Sequence, residues 1–337
     1  MKLHLLRVGK PYLLALILIL VGGWLVPLTP ARAQGPGPAL LEKPPAAPPE
    51  EEKKEGAPST CGPMISDTCL PIDTHKLTMQ ILWGFEFDVG NLTNNWRKVS
   101  AKGDFPTFIM PVKITYGVAK DLEMYVIIPY IHNFASNLNK SIAGPNGERN
   151  ANYGGIGDIT LVGKYLLLPE TPIRPAVTGV LGVGFPTGHA SHLNPRFLSA
   201  DAVGTGAFTF ITGFNLFKYL KPFMVYSNIW FNTPVNLYPQ RDDMVRSREY
   251  VTFNMAVEYP FTKRWIGLLE FFSTWTWTNL KPQNISFTTP QTLIGIMPAI
   301  EFIINEKWSC AAGASIELFG KNGNYEYTPM FTVYYNF

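Results

Sequence analysis

Hydrophobic and polar residues alternate along the last thirteen residues of the chain, from Tyr325 to Phe337. Every second residue from Tyr325 onward is apolar or aromatic, and the residues between them are Glu326, Thr328, Met330, Thr332, Tyr334 and Asn336. A repeat of two residues is the period of a β-strand. A stripe this long, with aromatic residues at both ends, is typical of a strand that crosses lipid. The pattern therefore predicts one strand of a closed membrane barrel.

Eleven further segments with strand character precede this one. The twelve segments span residues 76–90, 104–116, 121–134, 155–168, 173–186, 203–218, 221–233, 247–259, 264–278, 291–304, 307–319 and 325–337. Short connections, such as 117–120 and 305–306, alternate with long ones, such as 135–154 and 187–202. Outer-membrane barrels alternate in this way because their periplasmic turns are short and their outer loops are long. The sequence predicts an all-β protein whose residues 76–337 form a transmembrane antiparallel up-and-down β-barrel of about twelve strands, with both termini in the periplasm.

Aromatic residues gather near both ends of the predicted strands. Tyr116 and Trp308 lie near short connections, and Tyr130 lies near a long one. Two such belts are typical of a barrel in contact with membrane lipids. At the C-terminus, Tyr335 and Phe337 resemble the terminal signal by which the barrel assembly machinery recognises outer-membrane barrels, and an interfacial anchor is the alternative interpretation.

The N-terminus has the pattern of a secretory signal peptide over residues 1–33. Lys2, Arg7 and Lys10 precede an apolar run, and Ala31-Arg32-Ala33 is a small-x-small cleavage site. A single anchoring helix is the alternative, but the apolar run is shorter than the roughly 20 residues that a span requires. Removing residues 1–33 lowers the formal net charge from +3 to about −1. No basic patch then remains that would indicate nucleic acid as a partner.

Residues 34–75 precede the predicted barrel and divide into two parts. Residues 34–58 are rich in proline and charge and are predicted to be a disordered periplasmic linker, the alternative being a segment that binds peptidoglycan or a periplasmic partner. Residues 59–75 are either a short lead-in or a plug at the mouth of the barrel. Outside the reducing cytoplasm, Cys61 and Cys69 are predicted to form a disulfide, because a metal site would require more ligands nearby.

Charged residues fall on the polar face of the predicted strands. With the apolar faces outward, the lumen receives Glu86, Asp88, Lys113, Glu123, Asp158, Lys164, Glu258, Glu270, Glu301, Glu317 and Glu326. One interpretation is a polar network that fills the barrel, and the other is a ring of carboxylates that favours cations. Twelve strands lie between a filled eight-stranded barrel and an open porin. We therefore expect a narrow pore, or one constricted by an inserted loop or by residues 59–75.

Two stretches resemble a known bacterial family. Gly155-Ile156-Gly157-Asp158-Ile159-Thr160-Leu161 and Gly182-Val183-Gly184-Phe185-Pro186-Thr187-Gly188 are similar to the outer-membrane family described as transporters of the meta-pathway of phenol degradation. The resemblance implies an outer-membrane channel across residues 76–337 for hydrophobic or aromatic molecules. The predicted function is the passive passage of small solutes. The alternative is a sealed barrel that serves as an anchor or an interaction platform.

A hydrolase is the third hypothesis and the least favoured one. Ser191, His192 and Asn194 faintly resemble the catalytic residues of an outer-membrane phospholipase, but their order and their position in an outer loop do not match that family. A triad requires a base held within hydrogen-bond reach of the nucleophile. His189 and His192 lack a nearby third metal ligand. The sequence therefore predicts no enzyme, no catalytic or metal site and no cofactor.

Overall fold

The alternating segments of the chain form strands of a single sheet. The structure is a computed structural model that describes residues 60–236, 249–276 and 290–337. The predicted signal peptide, residues 1–33, and the predicted linker, residues 34–58, lie outside the described residues. Within the described part of the chain, no helix is both long enough and apolar enough to cross a membrane.

Fourteen strands and two single turns of 3-10 helix are present in these residues. The strands are β1 (Leu77–Leu92), β2 (Lys98–Val99), β3 (Thr107–Ala119), β4 (Leu122–Ala135), β5 (Ala151–Ile156), β6 (Ile159–Leu168), β7 (Ala176–Phe185), β8 (Ala207–Leu220), β9 (Phe223–Asn236), β10 (Tyr250–Pro260), β11 (Trp265–Thr276), β12 (Thr292–Ile303), β13 (Trp308–Lys321) and β14 (Gly323–Asn336). The 3-10 turns are Lys140–Ile142 and Pro195–Phe197. The twelve strands other than β2 and β5 form the wall of a barrel and are called staves below.

Neighbouring staves pair antiparallel, and the last stave returns to the first. β14 pairs with both β13 and β1, and Thr78 lies opposite Asn336 at the end of the seam. On the outer face of this seam, Trp83 stacks on Phe331 with ring centroids 5.9 Å apart. The prediction of a twelve-stranded antiparallel barrel is therefore confirmed, and the C-terminal strand closes it.

Side chains alternate between a lipid-type outer face and a lumen-facing inner face. In β11, Trp265 and Leu269 are exposed on the outside, whereas Ile266, Leu268 and Glu270 are buried inside. Since successive side chains of a strand point to opposite faces, the face that carries Trp265 and Leu269 turns outward, and the face that carries Glu270 among apolar residues lines the lumen.

The strand predicted over residues 155–168 is interrupted at Gly157 and Asp158, between β5 and β6. β4 pairs with β6 as far as Thr160 and continues with β5 from Ile156. At this interruption, the Asp158 carboxylate accepts hydrogen bonds from the N–H groups of Gly188 and Thr205, at 2.9 and 2.8 Å. These bonds fasten the connection between β7 and β8. The two stretches that resemble the transporter family thus contact each other through the hydrogen bond between Gly188 and Asp158.

Candidate functional site

Residues 60–76, called the inner segment below, follow the inside wall of the barrel. The N–H of Cys61 donates to Glu301 of β12 at 2.9 Å, and the N–H of His75 donates to the Gly117 carbonyl of β3 at 2.8 Å. Between these points the segment bonds to β11, β9, β8, β7, β6 and β4. The inner segment therefore runs around the lumen near the end that carries the short turns.

Glu270 binds three consecutive backbone amides of the inner segment. Its carboxylate accepts from the N–H groups of Met64, Ile65 and Ser66 at 2.7, 3.0 and 2.6 Å. The side chain has no exposed surface. Hydrogen bonds to an ionised acceptor are about twice as strong as those between neutral groups. Glu270 is therefore a principal anchor of the segment.

Asp67 is the centre of a buried charge network. Its carboxylate lies 2.9 Å from the ammonium of Lys113 and 3.1 Å from that of Lys164, and it accepts from the Asn215 amide at 2.9 Å. Asn228 bonds both to the N–H and to the carbonyl of Asp67, at 2.8 and 2.9 Å. Burial alone would raise the pKa of Asp67, but the two ammonium groups lower it to about 2. Asp67 therefore stays ionised inside the lumen.

Lys164 and Glu123 connect this network to the next part of the segment. The Lys164 ammonium lies 2.8 Å from Glu123 and donates to the Thr68 carbonyl at 2.7 Å. The second oxygen of Glu123 accepts from the N–H of Ile72 at 2.8 Å. Both charged side chains are buried. Buried ion pairs require such additional hydrogen bonds to offset the loss of hydration.

Two glycines allow close approaches of the inner segment. A methyl group on Gly117 would lie 2.0 Å from the Asp73 carbonyl oxygen. Gly62 has a φ of +80°, and a methyl group there would lie 2.3 Å from the Thr68 side chain. The first contact brings the segment against β3, and the second folds the segment onto itself.

The predicted disulfide between Cys61 and Cys69 is wrong, because both thiols are free. The sulfur of Cys61 contacts the Ser309 hydroxyl on β13, whereas that of Cys69 lies 3.3 Å from the Thr178 hydroxyl on β7. These two staves are six apart in the order of the twelve, so they lie on opposite sides of the barrel. Burial raises the pKa of both thiols, in Cys69 to about 11.

A cavity of about 500 Å³ lies in the lumen beside the inner segment. Its walls include the staves β1, β3, β4, β8, β9 and β14. Aromatic surface comes from Tyr125, Trp230 and Tyr334. Gln80 donates to the Tyr334 hydroxyl at 2.8 Å across the seam. The cavity thus combines aromatic rings with neutral hydrogen-bonding groups and with the charged side chains of Asp67, Lys113 and Glu123.

The remaining charged residues of the predicted lumen set are not part of the ion network around Asp67, although Glu258 lies beside the inner segment, next to Thr60. Glu258 is buried and accepts from the Tyr226 hydroxyl at 3.2 Å. Glu86, Asp88, Glu317 and Glu326 lie on β1, β13 and β14 toward the end with the long connections, where Glu317 accepts from the N–H of Glu326 at 2.7 Å. Asp158 binds the β7–β8 connection.

Sequence reasoning missed three polar partners of the inner segment. Asn215, Asn228 and Thr178 are all buried on the lumen face. Asn215 and Thr178 lie on glycine-containing strands with weak alternation. Each of these residues is polar at a position that faces the lumen. The sequence alone does not identify that position until the register of the strand is known.

The β7–β8 connection contains Ser191, His192 and Asn194, the residues that faintly resemble those of a phospholipase. Asn194 caps the 3-10 turn by accepting from the N–H of Arg196 at 3.0 Å, and His189 Nδ1 lies 2.9 Å from the Asp201 carbonyl. Among the described residues, no group of three or more His, Cys, Asp or Glu side chains is arranged to hold a metal ion.

At the other end of the barrel, Tyr335 and Phe337 form an aromatic pair with ring centroids 4.7 Å apart.

Comparison with known proteins rests on structure alone, since no family model and no curated protein match the sequence. A COG4313 outer membrane channel from Pseudomonas putida F1 is 12% identical and superposes with a TM-score of 0.63, over 80% of this chain and 97% of that one. The translocator domain of the autotransporter NalP from Neisseria meningitidis is 10% identical with a TM-score of 0.43, over 79% and 90% of the two chains. The CymD monoaromatic hydrocarbon channel is 8% identical with a TM-score of 0.40, over 79% and 89%. The chain therefore shares its barrel fold with a solved outer-membrane channel.

Proposed function

We propose that the protein is an outer-membrane channel for the passive passage of small solutes. The observation that carries the proposal is the cavity of about 500 Å³ beside the inner segment. Its size fits a small molecule, and its lining of aromatic rings with a few polar and charged groups is typical of sites for such ligands. The rings of Tyr125 and Trp230 and the Gln80 amide suit hydrophobic or aromatic solutes that carry a hydrogen-bonding group.

The proposed location is the bacterial outer membrane, with the lipid against the apolar outer face and both termini in the periplasm. The alternation of short and long connections supports this orientation, and the similar structure from Pseudomonas putida F1 is described as an outer membrane channel. Residues 1–33 would direct export, and residues 34–58 would form a periplasmic linker that is free to contact a partner. Tyr335 and Phe337 would interact with the barrel assembly machinery.

Swelling of proteoliposomes tests the proposal directly. Vesicles that contain the full-length protein should swell in solutions of small uncharged solutes, and more slowly as solute size increases. The Asp67→Lys variant places a third ammonium beside Lys113 and Lys164, so it should loosen the inner segment and speed the swelling. A folded barrel that admits no solute, either as the parent or as this variant, would contradict the proposal.

The second candidate is a sealed barrel that acts as an anchor or interaction platform. The bonds that tie the inner segment around the wall favour it, because they fill much of a narrow lumen. Deletion of residues 34–58 separates the two functions. A parent protein that passes no solute, together with loss of attachment to a periplasmic component after the deletion, would indicate a sealed anchor.

A further inference from the structure

The inner segment covers four carboxylates of the lumen wall. Glu123, Glu258, Glu270 and Glu301 each have at most 2% of their surface exposed. Three of them accept backbone N–H groups of the segment, namely those of Ile72, of Met64 to Ser66, and of Cys61. The segment therefore separates these carboxylates from the solution in the lumen.

The wall has an excess of negative charge at this level once the segment is removed. The nearby cations of the wall are Lys113 and Lys164, which pair with Asp67 of the segment and, for Lys164, also with Glu123. Without the segment, two ammonium groups face four carboxylates in water. A ring of carboxylates at a constriction favours cations.

Glu258 provides a second observation at the same place. One of its oxygens accepts from the Tyr226 hydroxyl, and the Thr60 side chain of the segment also interacts with the carboxylate, while Oε1 is buried with no partner at hydrogen-bond distance. A buried polar atom in this state lacks the interaction that solvent or a cation would supply. Under the inner segment, this carboxylate oxygen therefore lacks an interaction that an aqueous lumen would supply.

We propose that the inner segment is a charge mask that sets the ion selectivity of the channel. In the docked state it hides Glu123 on β4 and the cluster of Glu258, Glu270 and Glu301 on the adjacent strands β10, β11 and β12. In the released state these carboxylates select small cations, inorganic ions and organic ammonium compounds alike. The inference rests on the proposed channel function. Glu86, Asp88, Glu317 and Glu326 lie beyond the segment and remain the same in both states, so the change in selectivity isolates the covered carboxylates.

Reversal potentials in planar bilayers under a KCl gradient test the proposal. The Asp67→Lys variant should raise the ratio of potassium to chloride permeability several-fold over the parent. Adding Glu270→Gln and Glu301→Gln to that variant should bring the ratio back toward the parent value. A deletion of residues 60–72 is the second way to release the segment, should the lysine variant not fold.

A lock provides the matched control. The Cys61 sulfur contacts the Ser309 hydroxyl, so Ser309→Cys, combined with Cys69→Ser and Cys310→Ser, should allow a disulfide that holds the segment on the wall. In the Asp67→Lys background the oxidised lock should keep the ratio low. Reduction with dithiothreitol should raise it.

Proteolysis within residues 60–72 shows whether the segment has been released. A released segment with an unchanged permeability ratio would overturn the proposal, as would a raised ratio that survives the two glutamine substitutions. Both results leave the channel function intact. Absence of conductance in the parent and in every folded variant would instead contradict the channel function, and the selectivity role with it.

Discussion

The ammonium of Lys113 lies 2.9 Å from the carboxylate of Asp67. With Lys164 it lowers the pKa of Asp67 from 3.8 to about 2. A carboxylate with a lowered pKa in the folded state stabilises that state fully above its unfolded pKa, and the contribution is lost as the pH falls through the folded pKa. We expect the contribution of Asp67 to docking of the inner segment to be nearly constant above about pH 5 and to fall by about 2 kcal/mol as the pH approaches 2.

Hydrogen exchange of the amides in residues 62–72, corrected for the intrinsic rate at each pH, measures this loss. Asp67→Asn is the control, because it keeps the shape and removes the titrating group. Its exchange should be faster at neutral pH and much less dependent on pH between 2 and 4. Parallel pH profiles for the parent and the asparagine variant would contradict the assignment to Asp67.

The second prediction concerns the Glu270 carboxylate, which accepts hydrogen bonds from three backbone amides of the inner segment. Glu270→Gln removes the negative charge and half of the acceptor capacity, and a hydrogen bond to a charged group contributes about 1.5–3 kcal/mol. We expect the free energy of local opening of the segment to fall by about 2 kcal/mol or more. Limited proteolysis within residues 60–72 measures that opening.

Glu326→Gln is the matched control for this prediction. Glu326 lies at the far end of the barrel, where it accepts from the Asn324 amide at 2.9 Å. It should leave the proteolysis rate unchanged. Equal acceleration by both substitutions would indicate a general loosening of the barrel rather than the loss of an anchor.

Local periodicity was sufficient to predict the barrel, but not what its inward carboxylates bind. In β14 and β11 the alternation of side chains is a property of consecutive residues, and the antiparallel pairing follows from short turns. The partners of Glu270 are residues 64–66, about two hundred positions earlier in the chain. No local pattern encodes that distance. The same limit explains the disulfide error, because the spacing of Cys61 and Cys69 does not reveal which staves hold their thiols.

The third prediction tests the close approach of the segment to β3. A methyl group on Gly117 would lie 2.0 Å from the Asp73 carbonyl oxygen, so the backbone of the segment must move to accept it. Gly117→Ala should lower the free energy of unfolding by about 1–3 kcal/mol, as overpacking does elsewhere. Urea unfolding measures the change.

Gly163→Ala is the matched strand substitution for comparison. The nearest atom to a methyl group there is 3.9 Å away, which is ordinary contact. Since alanine loses less backbone entropy than glycine, this variant should be as stable as the parent or slightly more so. A destabilisation of the same size at both positions would show that the contact with Asp73 does not cause the effect at Gly117.

The fourth prediction follows from the two free thiols of the segment. Cys69 is fully buried with a pKa of about 11, and the thiolate is the reactive form of cysteine. We expect the reduced, folded protein to react slowly with a maleimide at Cys69 and quickly once it is denatured. Mass spectrometry after alkylation under non-reducing conditions counts the free thiols. A native protein lighter by two hydrogens, with peptides 61 and 69 joined, would contradict the docked arrangement.

The fifth prediction separates two aromatic residues of the closing strand. Phe337 follows β14, with its N–H bonded to the Leu77 carbonyl at 3.1 Å and its ring against Tyr335. Phe331 is stacked on Trp83 in the middle of the lipid-type face. Because the Phe337 side chain is more than half exposed, it contributes little to burial, so Phe337→Asp should slow assembly by the purified assembly machinery more than it lowers stability. Phe331→Asp should do the reverse, because it places a charge deeper in the lipid face. Assembly rates and urea unfolding of both variants distinguish the effects, and a parental assembly rate for Phe337→Asp would leave Phe337 as an interfacial anchor alone.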